Sequence, residues 1–203
     1  MATDPGGTAD SAGRKGILQQ CAVAVDDIRV VGEVEIRRLD PADVERQLDA
    51  LAGVLADCVA GGASIGYLDP FSHEDARDAF EAFAAEVRLG CRLLVAAFVD
   101  DTLVGAVQVI LAVPPNQPHR GDITKLLVHR SARGRGIAQL LMERAEIEAR
   151  AEGKTLLVLD TVTGDPAERV YQRLGWTTVG VIPGYALYPD GRPCATTVFY
   201  KSI

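Results

Sequence analysis

The sequence predicts a single α/β domain with a mixed central sheet of about six or seven strands, flanked by about four helices. Two observations carry this. Apolar strand-like runs alternate with amphipathic helical patterns from residue 33 onward, and residues 122–128, a helix and residues 155–159 read as a βαβ unit, which should be parallel and right-handed. In addition, Arg92 to Val99 and Leu103 to Val113 are strand-like and are joined by the acidic turn Asp100-Asp101 as a hairpin, so antiparallel pairs must share the sheet.

The elements follow in order. Residues 1 to about 16 are rich in Gly, Asp, Ser, Ala and Thr and read as a disordered tail. Residues 17–32 either extend that tail or add a strand through Ile28, Val30 and Val31, so the domain is assigned to residues 33–203. Val34 to Leu39 reads as the first strand. Asp40 then caps a helix with Pro41 at its first position, an apolar stripe of Val44, Leu48, Leu51 and Leu55, and an end near Gly61-Gly62. Ser72 opens a second helix that stops at Gly90. After a Pro-rich loop at 114–118 and the strand at 122–128, a helix runs from Gly134 to about Glu152. It turns Ile137, Leu141 and Ala145 inward and Glu143, Arg144, Glu146, Glu148 and Arg150 to water. A buried strand follows at 155–159. A helix from Asp165 to Leu174 comes next, with Asp165 and Glu168 as a capping box. Trp176 to Ile182 and Ala195 to Lys201 close the sheet around a turn-rich Tyr185 to Pro193.

Composition narrows the class. An apolar fraction of 48% and a charged fraction of 24% are those of a globular protein, and a net charge of −7 argues against nucleic acid as the main partner. The longest apolar run is interrupted and too short to span a bilayer, and the N-terminus has no secretory pattern. Cys21, Cys58, Cys91 and Cys194 form no C-x-x-C pair. Neither a metal site nor a disulfide framework is expected, and a cytoplasmic location with free thiols is.

The chemistry centres on Ile123 to Gln139. A strand feeds a turn containing Arg133-Gly134-Arg135-Gly136-Ile137-Ala138, which opens a helix. The first backbone N–H groups of a helix lack internal partners, and its dipole favours an anion there. Glycines let a phosphate approach the backbone, and arginines add charge-assisted hydrogen bonds. The phosphate-loop pattern G-x-x-x-x-G-K-[ST] is absent, and the dinucleotide pattern is only half met because Gln139 stands in place of the last glycine. Arg133-x-x-Gly136-x-Ala138 resembles the pyrophosphate signature of the GCN5-related N-acetyltransferases (GNAT), and the order of elements over residues 33–203 is similar to that family's fold. The resemblance implies a single acetyltransferase domain using acetyl-CoA as co-substrate, without a metal. It places the pyrophosphate on Arg133 to Gln139 and the pantetheine arm along Leu126, Leu127 and Val128.

A second stretch, Asp165 to Trp176, is similar to the family's later motif, with Asp165 where Asn is usual. Ala167, Val170, Tyr171 and Leu174 share one helical face, which points Tyr171 inward. The resemblance makes Tyr171 the general acid for the departing thiolate and puts Asp165 and Ala167 beside the cofactor. A core tyrosine with a satisfied hydroxyl is the alternative. The family's chemistry also needs a group to take the amine proton. Asp122 and Asp160 stand at strand ends for that role, with His129 behind them. The run from Leu159 to Trp176, with Asp160 eleven residues before Tyr171, most resembles the tabtoxin-resistance acetyltransferases. Residues 61–68 resemble the same branch, and that segment and the Tyr185–Tyr188 loop would wall the acceptor. The expected acceptor is a primary amine of a small molecule, such as an amino-acid-like toxin or antibiotic. A protein N-terminus or lysine, or a non-catalytic acyl-CoA sensor, are the alternatives, and a homodimer is left open.

Overall fold

The computed structural model describes residues 29–31 and 33–203. One sheet holds eight strands: β1 Arg29–Val31, β2 Val34–Arg38, β3 Arg92–Val99, β4 Thr102–Ile110, β5 Arg120–Val128, β6 Leu156–Val162, β7 Thr177–Leu187 and β8 Pro193–Ser202. The helices are α1 Pro41–Arg46, α2 Leu48–Ala60, α3 His73–Arg88, α4 Ile137–Ala151 and α5 Pro166–Arg173. In space the strands run β1-β2-β3-β4-β5-β6-β8-β7, with β5 and β6 parallel and every other pair antiparallel. The expected six or seven strands become eight because Arg29–Val31 pairs with β2, the extra strand left open at the N-terminus. The rest of the expected tail lies outside the described residues.

Strand periodicity builds two cores. Leu93, Val95 and Ala97 of β3 face α4 with Ile137, Leu141, Met142 and Ala145, while Leu94, Ala96 and Phe98 face the layer of α1, α2 and α3 with Leu51, Leu55 and Phe80. Burial on both faces makes β3 read as one unbroken apolar run.

Four expectations need correction. The helix expected from residue 41 to near 61 bends at Gln47, whose N–H is shared between the carbonyls of Asp43 and Val44, and α1 and α2 are separate. The last hairpin is longer than expected. β7 continues past Pro183 to Leu187 through a register shift between Ile182 and Ala186, so Tyr185 stands on a strand rather than in a turn. β7 is the sheet's edge, where a proline's missing N–H breaks no ladder. The third correction concerns α4. Arg144, Glu146 and Glu148 are buried, not solvated. Arg144 pairs with Glu148 at 2.6 Å, and Glu146 accepts from the Trp176 indole at 3.0 Å and the Lys201 ammonium at 2.6 Å. Each buried charge is offset by a partner that the helical pattern alone did not reveal. Finally, Asp165 caps α5 through the Ala167 N–H at 2.8 Å, while Glu168 contributes only its backbone N–H to the Asp165 carbonyl, so the reciprocal capping box is not made.

One glycine fixes how closely β4 and β5 approach. A Cβ on Gly105 would lie 2.8 Å from the Leu127 carbonyl oxygen and 3.2 Å from Leu141 Cδ1, with backbone on one side and packed core on the other. Gly105→Ala is therefore expected to destabilise the fold by about 1–3 kcal/mol, the usual cost of overpacking, measured by urea unfolding.

Candidate active site

The site begins where β5 and β6 part. They pair from Arg120/Leu156 to Asp122/Val158 and no further. Beyond Asp122 the amide groups of β5 that face β6 meet no strand partner among the described residues. A cleft of about 960 Å³ opens there, and Leu126, Leu127 and Val128 line it as expected. Lys125 interrupts the ladder to β4 at a bulge, where Ala106 pairs with Leu127 but Gln108 pairs with Thr124. Its φ of 52° is unusual for a residue other than glycine.

The anion turn closes one end of the cleft. Gly134 and Gly136 adopt φ of 79° and 77°, conformations that glycine enters without strain. Gly136 caps α4 with no side chain, and the N–H groups of Gly136, Ile137 and Ala138 find no acceptor among the described residues. No atom would lie within 4 Å of a Cβ at Gly134 or Gly136, so the space above the turn is open. Arg133 lines the cleft. Its Nε donates to the Val128 carbonyl at 3.1 Å, which leaves the side chain exposed beside the turn rather than across it. Arg135 points elsewhere, toward Glu33 at 3.5 Å, and does not line the cleft. Gln139 does line it, with its amide turned to Glu143 at 2.9 Å.

A clamp sets the turn's position. The Asp57 carboxylate of α2 accepts from the Arg130 N–H at 2.8 Å and the Arg130 Nε at 2.9 Å, with His129 Nε2 at 3.5 Å. Desolvation alone would raise the Asp57 carboxyl. The Arg130 hydrogen bonds and the neighbouring positive charges outweigh it and hold the carboxyl below its ordinary value. His129 is thereby committed to the clamp and lies outside the cleft.

Tyr171 stands on the opposite wall. Its ring is 4% exposed and packs tilted against Trp176 and Phe199, with centroids 6.1 and 5.7 Å away. Its hydroxyl bonds no other described residue, and the residue lines the cleft. Burial, then the nearby Asp165 and Asp160 charges, push its pKa well up, so the phenol keeps its proton at any ordinary pH. Asp165 and Ala167 line the same wall, the Asp165 carboxylate occupied by the Ala167 N–H.

The two aspartates separate. Asp160 lines the cleft and opens to solvent through it. Partial desolvation raises its carboxyl above the usual value, with Lys125 opposing and Asp122 adding. Asp122 does not line the cleft, and its carboxylate pairs with Arg120 at 3.0 Å.

The far end is walled as the sequence suggests. Gly61 to Gly66 and Tyr185 line it, and the two segments are tied together. The Ser64 hydroxyl donates to the Leu187 carbonyl at 2.6 Å, and the Asp69 N–H to the Pro189 carbonyl at 2.9 Å. Cys194 sits beside this tie, its thiol 3.6 Å from the Ser64 hydroxyl. Sequence reasoning missed Cys58, Lys125, Arg169 and Arg173 as lining residues. A lysine inside the apolar run 123–128 is the signal that was there to read. Cys58 sits on the apolar stripe of α2, its thiol raised by burial.

The Acetyltransferase (GNAT) family matches residues 62–176, more than half of the chain. Among solved structures of similar fold is YncA of Salmonella typhimurium, provisionally an acetyltransferase and described with its cofactor acetyl-CoA. It is 20% identical over 84% of this chain and 94% of its own, with a TM-score of 0.70. A ribosomal-protein-alanine N-acetyltransferase from Brucella melitensis is 20% identical, covering 83% and 99%, with a TM-score of 0.70. A provisionally assigned phosphinothricin N-acetyltransferase is 17% identical, covering 83% and 98%, again at 0.70. At these identities the likeness is one of fold. The family match takes in β5, α4, β6 and α5, four of the elements that line the cleft, and on it the chain belongs to the acetyltransferase (GNAT) family.

Proposed function

We propose that the chain moves an acetyl group from acetyl-CoA directly to the primary amine of a small molecule. The observation that carries this reading is Tyr171, a protonated phenol without a partner among the described residues, set on the cleft wall across from the strand whose amides are unspent.

The cleft suits the co-substrate. The unpaired N–H groups of Gly136, Ile137 and Ala138 suit a diphosphate, and Gly134 and Gly136 leave room for it. Arg133, Arg169 and Arg173 put positive charge around the cleft of a chain whose net charge is −7. The free edge of β5 at Leu126 to Val128 suits an amide-bearing arm. Acetyl-CoA supplies an acyl thioester that an uncharged amine can attack. Asp160 first takes one proton from the arriving ammonium, directly or through one water; the nitrogen then bonds to the acyl carbon, Tyr171 gives its proton to the sulfur as the C–S bond breaks, and the surplus proton on the new amide nitrogen returns to the Tyr171 oxygen. Asp122, held by Arg120 outside the cleft, acts only by raising the Asp160 carboxyl. No covalent enzyme intermediate is needed. Cys58 is buried with a raised thiol pKa, and Cys194 is turned to Ser64.

The tied far wall supports a small acceptor. The Ser64–Leu187 and Asp69–Pro189 hydrogen bonds join the two segments at that end, where a protein N-terminus or lysine would need an open groove. A non-catalytic sensor would have no use for an unpartnered acid placed beside a carboxylate.

Three outcomes test this. Tyr171→Phe should lower kcat by about a hundredfold or more in a thiol-release assay over an amine panel, with the KM for acetyl-CoA unchanged. Unchanged turnover would remove Tyr171 as the acid. For pH, a raised Asp160 carboxyl must lose its proton to serve as base. Thus kcat/KM should rise with pH through an acid limb above the usual carboxylate range, and Asp160→Asn should abolish that limb. Gly136→Ala forces a Cβ into the left-handed region and crowds the anion. Calorimetry should find coenzyme A binding weakened about tenfold, or ~1.4 kcal/mol.

A further inference from the structure

Lys125 is a cation in an unusual place. It occupies the β5 bulge with φ of 52°, a conformation that disfavours any side chain, and a bulge is a device that re-aims the side chain it carries. Its ammonium reaches into the cleft, where Nζ donates to the Ile65 carbonyl at 2.6 Å and lies 5.0 Å from the centroid of the Tyr67 ring. Gly66 makes the space, since a Cβ there would stand 3.3 Å from Nζ. An ammonium carries three donors, and the carbonyl uses one. No carboxylate among the described residues forms an ion pair with Lys125, whereas the buried Arg92, Arg144 and the half-buried Lys201 hold Glu86, Glu148 and Glu146. Buried Lys154 spends its donors on two carbonyls, Leu111 and Pro118, away from the cleft.

Asp160 lines the same cleft and is coupled electrostatically to Lys125. The acceptor end is therefore bipolar. A simple cationic amine drawn to Asp160 would meet the Lys125 ammonium as a like charge, and half-burial of that ammonium makes the repulsion costlier than in water. An acceptor with a negative group beside its amine would instead satisfy both walls. Resting on the acetyltransferase reading above, we propose that the acceptor is a zwitterion, its amine directed to Asp160 and its carboxylate bound by Lys125, which selects substrates by charge and takes no part in the chemistry. Arg92 strengthens the positive wall from behind, already held by Glu86 and by Gln108 at 2.5 Å.

The experiment uses the full chain with acetyl-CoA and thiol release as the readout. The acceptors are the common L-amino acids and the same compounds as methyl amides, which keep the amine and remove the carboxylate. The expected result is that the free acids are preferred about tenfold to a hundredfold in kcat/KM, the effect lying in KM. Lys125→Met should erase that preference by raising KM for the acids more than for the amides, and should move the acid limb of kcat/KM to higher pH for both series, because Asp160 loses the cation that opposes its raised carboxyl. Lys125→Arg should restore part of the preference. Equal use of acids and amides by the wild-type chain, or use of amides only, overturns the proposal without needing a variant. So does a fall in kcat for both series in Lys125→Met at pH values above that limb, because that would place Lys125 in the chemistry. Turnover of neither series also overturns it, while the acetyltransferase reading is judged separately by thiol release with polyamines and arylalkylamines.

Discussion

Everything in this molecule answers to the parting of β5 from β6. Two parallel strands that pair through three positions and then diverge leave backbone donors and acceptors with nothing to bond, which a folded protein tolerates only where a ligand or water completes them. The divergence is held open by neighbours. The Lys125 bulge breaks the register with β4, Gly105 lets the two backbones close up beyond it, and the N-terminus of α4 lines the gap.

The same parting explains the electrostatics. Asp57 and Arg130 lock the loop that leads into α4, whose start lines the gap. On the far wall, α5 brings Tyr171 to the gap between Trp176 and Phe199, where burial keeps its proton on. Asp160 is carried by the diverging strand itself. Its carboxyl is raised because the cleft walls strip part of its water, and the Lys125 charge opposes that rise. Tyr171, Asp160 and Lys125 thus derive their properties from one geometric event.

Stability and function are divided between the two sheet faces. The α1–α3 layer is mostly apolar, with Arg92 held by Glu86 and Gln108, whereas the α4 layer carries more paired charges among its apolar contacts: Arg144 with Glu148, and Glu146 with Lys201 and Trp176. Glu146 ties α4 to β8 through Lys201 and to the chain after α5 through Trp176, while Arg144 and Glu148 pair within the helix. A hydrophobic replacement would fill the same volume without making those ties.

The sequence by itself determined the strand and helix order, the βαβ unit, the anion turn and the inward face of Tyr171, because each depends on local periodicity, capping and glycine placement within about ten residues. It also fixed the candidate list for the base without choosing from it. Tertiary structure alone decided that Asp160 faces the cleft and Asp122 is held by Arg120, that Arg135 turns to Glu33, that Arg144, Glu146 and Glu148 are buried, and that Lys125 confronts Asp160. Those outcomes rest on contacts between residues tens of positions apart, or on a bulge that shifts alternation by one residue. A period-two pattern carries no record of either.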